Sequence, residues 1–418
     1  MEYINQRISI DIVGLAGACS YALDCIESEL VSIKTKHGKR VAYLSACMAE
    51  YFGLSGDETQ DLVICALLHD NALTQYISEE LQKNHSTDIR KAVPIATRST
   101  HCIYGEENIS RLPFMTDVKN AILFHHENAD GTGPFRKTWT EVPLYARIIH
   151  LADVVDVAGK SRLSREDAWE WVSHWIKEYE GRLFDSECVN AFLQSVSEDS
   201  VLPLRTGDFE KELWQMVPRK KVSLDWQSLK NIADFYARIV DYKSPFTSTH
   251  SMGVAEKAAE LARYKGYDQL DVEKMYLAGA LHDIGKMAIG NDILEKPDVL
   301  TDVEFKKMQN HAAYTYMILS EVDDFEDIRD WAAFHHEKLN GKGYPFGKTA
   351  QELNDPERAM ACIDIYQALT EKRPYKDGFS HEKTCDILDS MAQKGYVDAD
   401  IAYQIRDCFG STSSKQVN

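Results

Sequence analysis

Apolar residues recur at helical spacing along nearly the whole chain. Leu229, Ile232, Ala233, Tyr236, Ile239 and Val240 follow one another in steps that keep them on one face, as do Leu277, Ala280, Leu281 and Ile284. This is the 3.6-residue period of an amphipathic helix. Alternating strand patterns are scarce, and Gly and Pro cluster between the periodic stretches, so the pattern predicts an all-α protein with loops at those clusters. A chain of 418 residues is too long for one ordinary hydrophobic core, which predicts two domains or three. The stretch carrying Pro203, Gly207 and Pro218 reads as the connection. The expected division is a first domain over 1–202, a linker over 203–222 and a second domain over 223–418.

The histidines show that the chain is written twice. In the second half His250 is followed by His282-Asp283 after 32 residues, His311 after a further 29, His335-His336 after 24, and Asp364 28 beyond His336. In the first half His37 is followed by His69-Asp70 after 32, His101 after 32, His125-His126 after 24, and Asp153 27 beyond His126. Ten of the fourteen histidines belong to these two series, and the words "FHHENADGTGPF" and "FHHEKLNGKGYPF" match as well. Satisfied core histidines would account for one such residue, not for two parallel sets.

Each set contains five imidazoles and two carboxylates with no cysteine in the series. Nitrogen and oxygen ligands suit Mn, Fe, Co, Ni or Zn better than calcium or Cu(I). Seven ligands are too many for one ion and suit two, with Asp283 as the natural bridge. Paired cations recur in displacement at phosphorus, where a shared water is acidified to hydroxide and the phosphate oxygens are clamped. Hydrolysis of a phosphoester is the chemistry suggested.

Composition narrows the partners. Lys and Arg number 47 against 66 Asp and Glu, a net charge of −19, and no basic run is present to track a nucleic acid backbone. A nucleic acid polymer is therefore not expected, whereas a small anion is compatible once metals or placed cations reverse the field locally. The nine cysteines, Cys19, Cys25, Cys47, Cys65, Cys102, Cys188, Cys362, Cys385 and Cys408, are odd in number and scattered. They read as reduced thiols of a cytoplasmic protein. The run "IVGLAGACSYAL" is too short to span a bilayer and lacks a basic flank, so neither membrane insertion nor a signal peptide is expected.

The words "HDIGK", "HHE" and "GYP", the downstream His311, and Asp364 followed by "RPY" resemble the HD-GYP family, the metal-dependent branch of the HD superfamily that opens cyclic dinucleotides. The resemblance runs from Ser223 to the C-terminus, and it implies two tandem HD-type helical bundles. It also implies one metal on His250, His282, Asp283 and Asp364 and another on Asp283, His311, His335 and His336. Asp283 and Lys286 would be catalytic. Lys286, Gly343, Tyr344, Pro345 and Arg373 would meet the substrate. Three features of the chain support this casting physically: Lys286 lies three residues after Asp283, Gly285 allows a bend between them, and Arg373 offers a fork matched to phosphate oxygens.

Several positions depart from the family pattern. Members with a third metal carry Glu four residues before the first histidine, where this chain has Phe246, so two divalent transition metals are expected, Mn or Fe foremost with Ni, Co or Zn as alternatives. Asn340 stands for the usual Asp, Gly290 for a usual Pro, and Gln367 for a frequent Asp. The first half retains His37, His69, Asp70, His101, His125, His126 and Asp153 as a candidate metal site, and Arg162 takes the place of Arg373. It has Leu73 in place of the lysine and no tyrosine in "GTGPF", which implies a degenerate copy that stabilises, regulates or dimerises. The reading is a phosphodiesterase that converts 3′3′-cGAMP or cyclic di-GMP, a small-molecule partner, to the linear dinucleotide. The tandem soluble arrangement is similar to the bacterial cyclic GMP-AMP phosphodiesterases of the family. Rival readings are a nucleotidase or phosphomonoesterase of the superfamily, or a non-catalytic metal-binding interaction module, and a homodimer is a further option.

Overall fold

The computed structural model describes residues 7–31, 36–73, 75–76, 79–80, 98–159, 162–163, 165–242, 250–294, 296, 298–372 and 377–413. Almost all of the regular structure is helical, as the periodicity predicts; the strands among these residues are Ser9–Asp11 and Lys221–Ser223, which pair. None of the described helices is long and apolar enough to cross a membrane. The chain forms two compact units. One comprises Asp11–Val222, and the other runs from Ser223 onward together with the residues before Asp11.

The second unit begins at Ser223, where the expected second domain of 223–418 begins, but the expected linker over 203–222 falls inside the first unit and the residues before Asp11 fall in the second instead of in 1–202. Residues 203–222 are not a slack linker. Pro203 sits inside the Glu198–Thr206 helix, and Phe209–Met216 forms a second helix whose Phe209 and Leu213 are buried. Glu210 accepts from the Lys39 ammonium at 2.9 Å and Glu212 from the Tyr43 hydroxyl at 2.9 Å, which ties this stretch to the His37–Ala49 helix. Pro203, the sixth residue of that helix, gives up one backward hydrogen bond. At the other end, Arg7 to Ile10 alternate exposed and buried, a period-two signal too short to stand out from a helical background. Within the second unit Ile8 donates to Glu273 at 2.9 Å and accepts from the Leu224 amide at 3.0 Å.

In the second unit, the Trp226–Tyr242 helix buries Leu229, Ile232, Ala233, Tyr236, Ile239 and Val240. The His250–Tyr264 and Gln269–Leu281 helices pack side by side. Asp268 caps the second of them through the Asp271 amide, and capping boxes open the Asp302–Leu319 helix at Thr301 and the Asp355–Thr370 helix at Asn354. Such caps satisfy backbone donors that would otherwise be orphaned and so set where each helix begins. The first unit uses the same device at Ser55 to start the Gly56–Leu67 helix. The described cysteines are unbridged, as expected of reduced thiols; the Cys25 side chain is outside the described residues.

Candidate metal centre

In each unit the helix that ends at the His-Asp pair is followed by an abrupt turn. In the second unit this is the 3-10 helix Ile284–Ala288. Gly285 is needed there for closeness, not for a bend: a Cβ on it would lie 2.0 Å from the His311 carbonyl oxygen and 2.5 Å from the Thr315 amide nitrogen. Backbone of the Asp302–Leu319 helix occupies the place of a side chain, and Thr315 locks the contact by accepting from the Gly285 amide and donating to the His282 carbonyl. Gly285→Ala is therefore expected to destabilise the fold by about 1–3 kcal/mol, the usual range for overpacking. A Gly285→Ala protein with an unchanged melting temperature would contradict this packing.

The histidines share one orientation. His282 donates from Nδ1 to the Gly279 carbonyl at 2.8 Å, His311 to Met308 at 2.7 Å and His335 to Ala332 at 2.6 Å. A carbonyl can only accept, so each ring carries its proton on Nδ1 and turns a bare Nε2 lone pair inward. The same bonds recur in the first unit, from His69 to Ala66 at 2.8 Å and from His125 to Ile122 at 2.6 Å.

Between these nitrogens lies Asp283, only 4% exposed. Its Oδ2 is 3.1 Å from His282 Nε2, while its Oδ1 is 3.5 Å from His311 Nε2 and 4.0 Å from His335 Nε2. His250 completes the first side, with Nε2 3.2 Å from Asp364 Oδ1, and Asp364 lies 3.8 Å from His282. Two groups result, one of His250, His282 and Asp283, the other of His311, His335 and His336, each with ligand atoms within 4.8 Å of one another. Burial would raise the Asp283 carboxyl, but the His282 imidazole and the Lys286 ammonium outweigh it and hold the group well below the usual range. Burial, with His311 close by, pushes His336 down to about 4.

These residues fit divalent cations on internal grounds. His282 Nε2 and Asp283 Oδ1 are buried without a hydrogen-bond partner, a costly state for polar atoms. His311 Nε2 and His335 Nε2 face each other at 3.4 Å, although both protons are committed elsewhere. Two lone pairs so placed repel unless a cation lies between them. The donor set is nitrogen and oxygen, as first-row divalent ions prefer.

Around this centre Lys286, partly buried, reaches Asp283 Oδ2 at 2.5 Å. Burial alone would lower its ammonium, but Asp283 outweighs that and keeps it charged. Tyr344 lies over His336, with ring centroids 4.7 Å apart, and its peptide bond to Pro345 is cis. Gly343 is pressed against Glu337: a Cβ there would be 2.4 Å from the Glu337 Cα. Phe246 and Arg373 lie outside the described residues.

Three roles are not evident from the sequence. The Glu of "HHE" is a loop clamp: Glu337 accepts from the amides of Phe346, Gly347 and Lys348 at 2.7, 3.1 and 2.9 Å. Its counterpart Glu127 holds Phe135 and Lys137 in the same way, so the repetition of that Glu is the available signal. Asn340 accepts from the Lys342 amide as Asp130 does from Thr132, so either residue forms this turn. Finally, His37 Nδ1 is held at 2.7 Å by Asp156, three residues after Asp153. The equivalent of Asp156 is Gln367, and in the second unit Glu371, one turn further along, contacts His250 Nδ1 instead, at 3.2 Å. An amide at 367 is visible as a departure; its replacement by Glu371 is not.

The first unit repeats the centre. Asp70 lies 3.4 Å from His69 and His101 and 3.7 Å from His125, and Asp153 lies 3.3 Å from His37 and 3.7 Å from His126. The two halves differ beyond it. Leu73 fills the lysine position, and Arg162 is exposed, its guanidinium 5.2 Å from the Trp171 ring.

Comparison with known proteins agrees with the doubling. Along 94% of this chain and 92% of the relative, the sequence is 29% identical to the 3′3′-cGAMP-specific phosphodiesterase 1 of Vibrio cholerae. It is 33% identical to the 3′3′-cGAMP-specific phosphodiesterase 3 of the same organism over 69% of this chain and 63% of that one. The crystal structure of a cyclic GMP-AMP-specific phosphodiesterase of V. cholerae, V-cGAP3, superposes with a TM-score of 0.66 at 25% identity, covering 96% of this chain and 98% of that chain. The model of the HD domain matches twice, over residues 24–170 and 234–401. With both histidine series inside those two matches, the chain belongs to the HD-domain family.

Proposed function

We propose that the second unit opens a cyclic dinucleotide, 3′3′-cGAMP or cyclic di-GMP, to the linear dinucleotide. The observation that carries this reading is the Asp283 carboxylate lying between two groups of inward-facing Nε2 atoms, with Lys286 and Tyr344 on its rim. His250, His282 and Asp364 would hold one divalent ion and His311, His335 and His336 the other, with Asp283 shared; Mn and Fe fit the nitrogen and oxygen set. When bound, such a pair acidifies water and clamps phosphate oxygens.

The chain's own residues supply the rest. Lys286, charged and next to Asp283, offsets negative charge that builds on the phosphate and stands ready to protonate the leaving ribose oxygen. Gly343 and Pro345 hold the Tyr344 loop against Glu337, so that the tyrosine ring shapes the substrate's path. Arg373 is assigned to phosphate by resemblance. The first unit lacks both the lysine and the tyrosine, which supports a partner role for it. That relatives named for 3′3′-cGAMP match across both halves supports 3′3′-cGAMP as the preferred ring.

The test is incubation of full-length protein, loaded with Mn or Fe, with each cyclic dinucleotide, followed by separation of products. A linear dinucleotide without inorganic phosphate is expected. Phosphate release from linear nucleotides without ring opening would replace this reading with a phosphomonoesterase. Lys286→Met should lower kcat by roughly 10²–10³-fold, the cost of losing one charge-stabilising group, while metal content stays at the wild-type level. Glu371→Gln should weaken metal binding by roughly 10–100-fold, as loss of a ligand's orienting partner does; titration of the apoprotein with Mn checks it.

A further inference from the structure

The two copies differ at one position that changes the chemistry of the ligands. Next to His311 the second unit has Ala312, fully buried. The first unit has Cys102 at that place, next to His101 and also fully buried. His101, Cys102, His125 and His126 form a group whose ligand atoms all lie within 4.8 Å of one another. No other cysteine among the described residues joins such a group.

We infer that the first unit holds its own divalent ion on a nitrogen and sulfur set, His101, Cys102, His125 and His126, and that this ion is of the Zn²⁺ class. Three observations carry it. Cys102 Sγ lies 3.6 Å from His101 Nε2, and two ligands on one tetrahedral zinc, with bonds of about 2.3 Å to sulfur and 2.05 Å to nitrogen, are separated by about 3.6 Å. His125 is fully buried, and its Nε2 has no hydrogen-bond partner, while its Nδ1 proton is committed to the Ile122 carbonyl. With Nδ1 committed, Nε2 is the atom that His125 turns into the group. Thiolate selects zinc over Mn or Fe, which the sulfur-free centre of the second unit suits better. Four nitrogen and sulfur ligands on one ion are the composition of a structural zinc site. The chain would then carry two kinds of metal for two purposes. This assignment does not depend on the hydrolytic reading of the second unit.

Cobalt reports sulfur ligation directly. Full-length protein reconstituted with Co²⁺ is expected to show sulfur-to-cobalt charge-transfer absorption in the near ultraviolet. The band should vanish in Cys102→Ala, which copies the second unit, and in Cys102→Ser, which keeps the size should the alanine protein fail to fold. It should persist at full intensity in Asp283→Asn. Absence of the band from wild-type protein, or its survival in either Cys102 variant, overturns the assignment. Failure of wild-type protein to open cyclic dinucleotides while the band is present would sink the catalytic reading and leave this one standing.

Discussion

Asp283→Asn protein is expected to fold normally and to lose hydrolysis, by more than about two orders of magnitude, since removal of a ligand should exceed the 10–100-fold cost of removing a partner outside the metal's own shell. The side chain is buried and isosteric with asparagine, so no cavity opens. What changes is charge. The carboxylate presents one oxygen to His282 and Lys286 and the other to His311 and His335. An amide offers one neutral oxygen, and its nitrogen would donate toward lone pairs that otherwise await a cation. Neither half of the centre then keeps its anionic ligand, and Lys286 loses its counter-ion. Circular dichroism, elemental analysis and turnover of the same preparation check this together. Full turnover by well-folded Asp283→Asn protein would rule out a shared carboxylate at the heart of the site.

Replacing equivalent histidines in the two units should give unequal results. His282→Ala is expected to abolish turnover, because it removes the bare Nε2 that faces Asp283 and Asp364. His69→Ala removes the equivalent nitrogen facing Asp70, but in a unit with Leu73 where the charged lysine would be. Activity should stay within about tenfold of wild type there, in keeping with the loss of support and not of a reacting group. The melting temperature of the His69→Ala protein should fall, since both imidazoles are buried and hydrogen-bonded. Complete loss of activity in both variants would mean that the first centre also turns over substrate or that the two are strictly coupled.

Much of the fold and of the centre is legible in the amino-acid sequence, and the reasons are local. Helices announce themselves through a period set by their own geometry, and the 32-residue step from His250 to His282 repeats between His37 and His69. In the second half the ligand chemistry follows from residue types alone, because imidazole and carboxylate without thiol restrict the metals that fit. Capping boxes at Ser55, Thr301 and Asn354 are four-residue signals of the same local kind.

The amino-acid sequence by itself determined the helical class, the doubling, and the set of side chains available to a metal in each half. Only the tertiary structure decided which of them meet and what else joins them. His250 and Glu371 are 121 residues apart, and no periodicity predicts that an acid one turn beyond Gln367 would orient that ring. Residues 203–222 look like a connection by their prolines, but buried Phe209 and Leu213 and the ion pair from Glu210 to Lys39 draw them into the first unit. Cys102 reads as one more scattered thiol until the fold brings His125 and His126 back to it across more than twenty residues. The physical reason is the same in each case. Helix formation is governed by neighbours within one turn, whereas a binding site is made by packing between turns far apart in the chain, where burial leaves a lone pair or a charge that must find its partner.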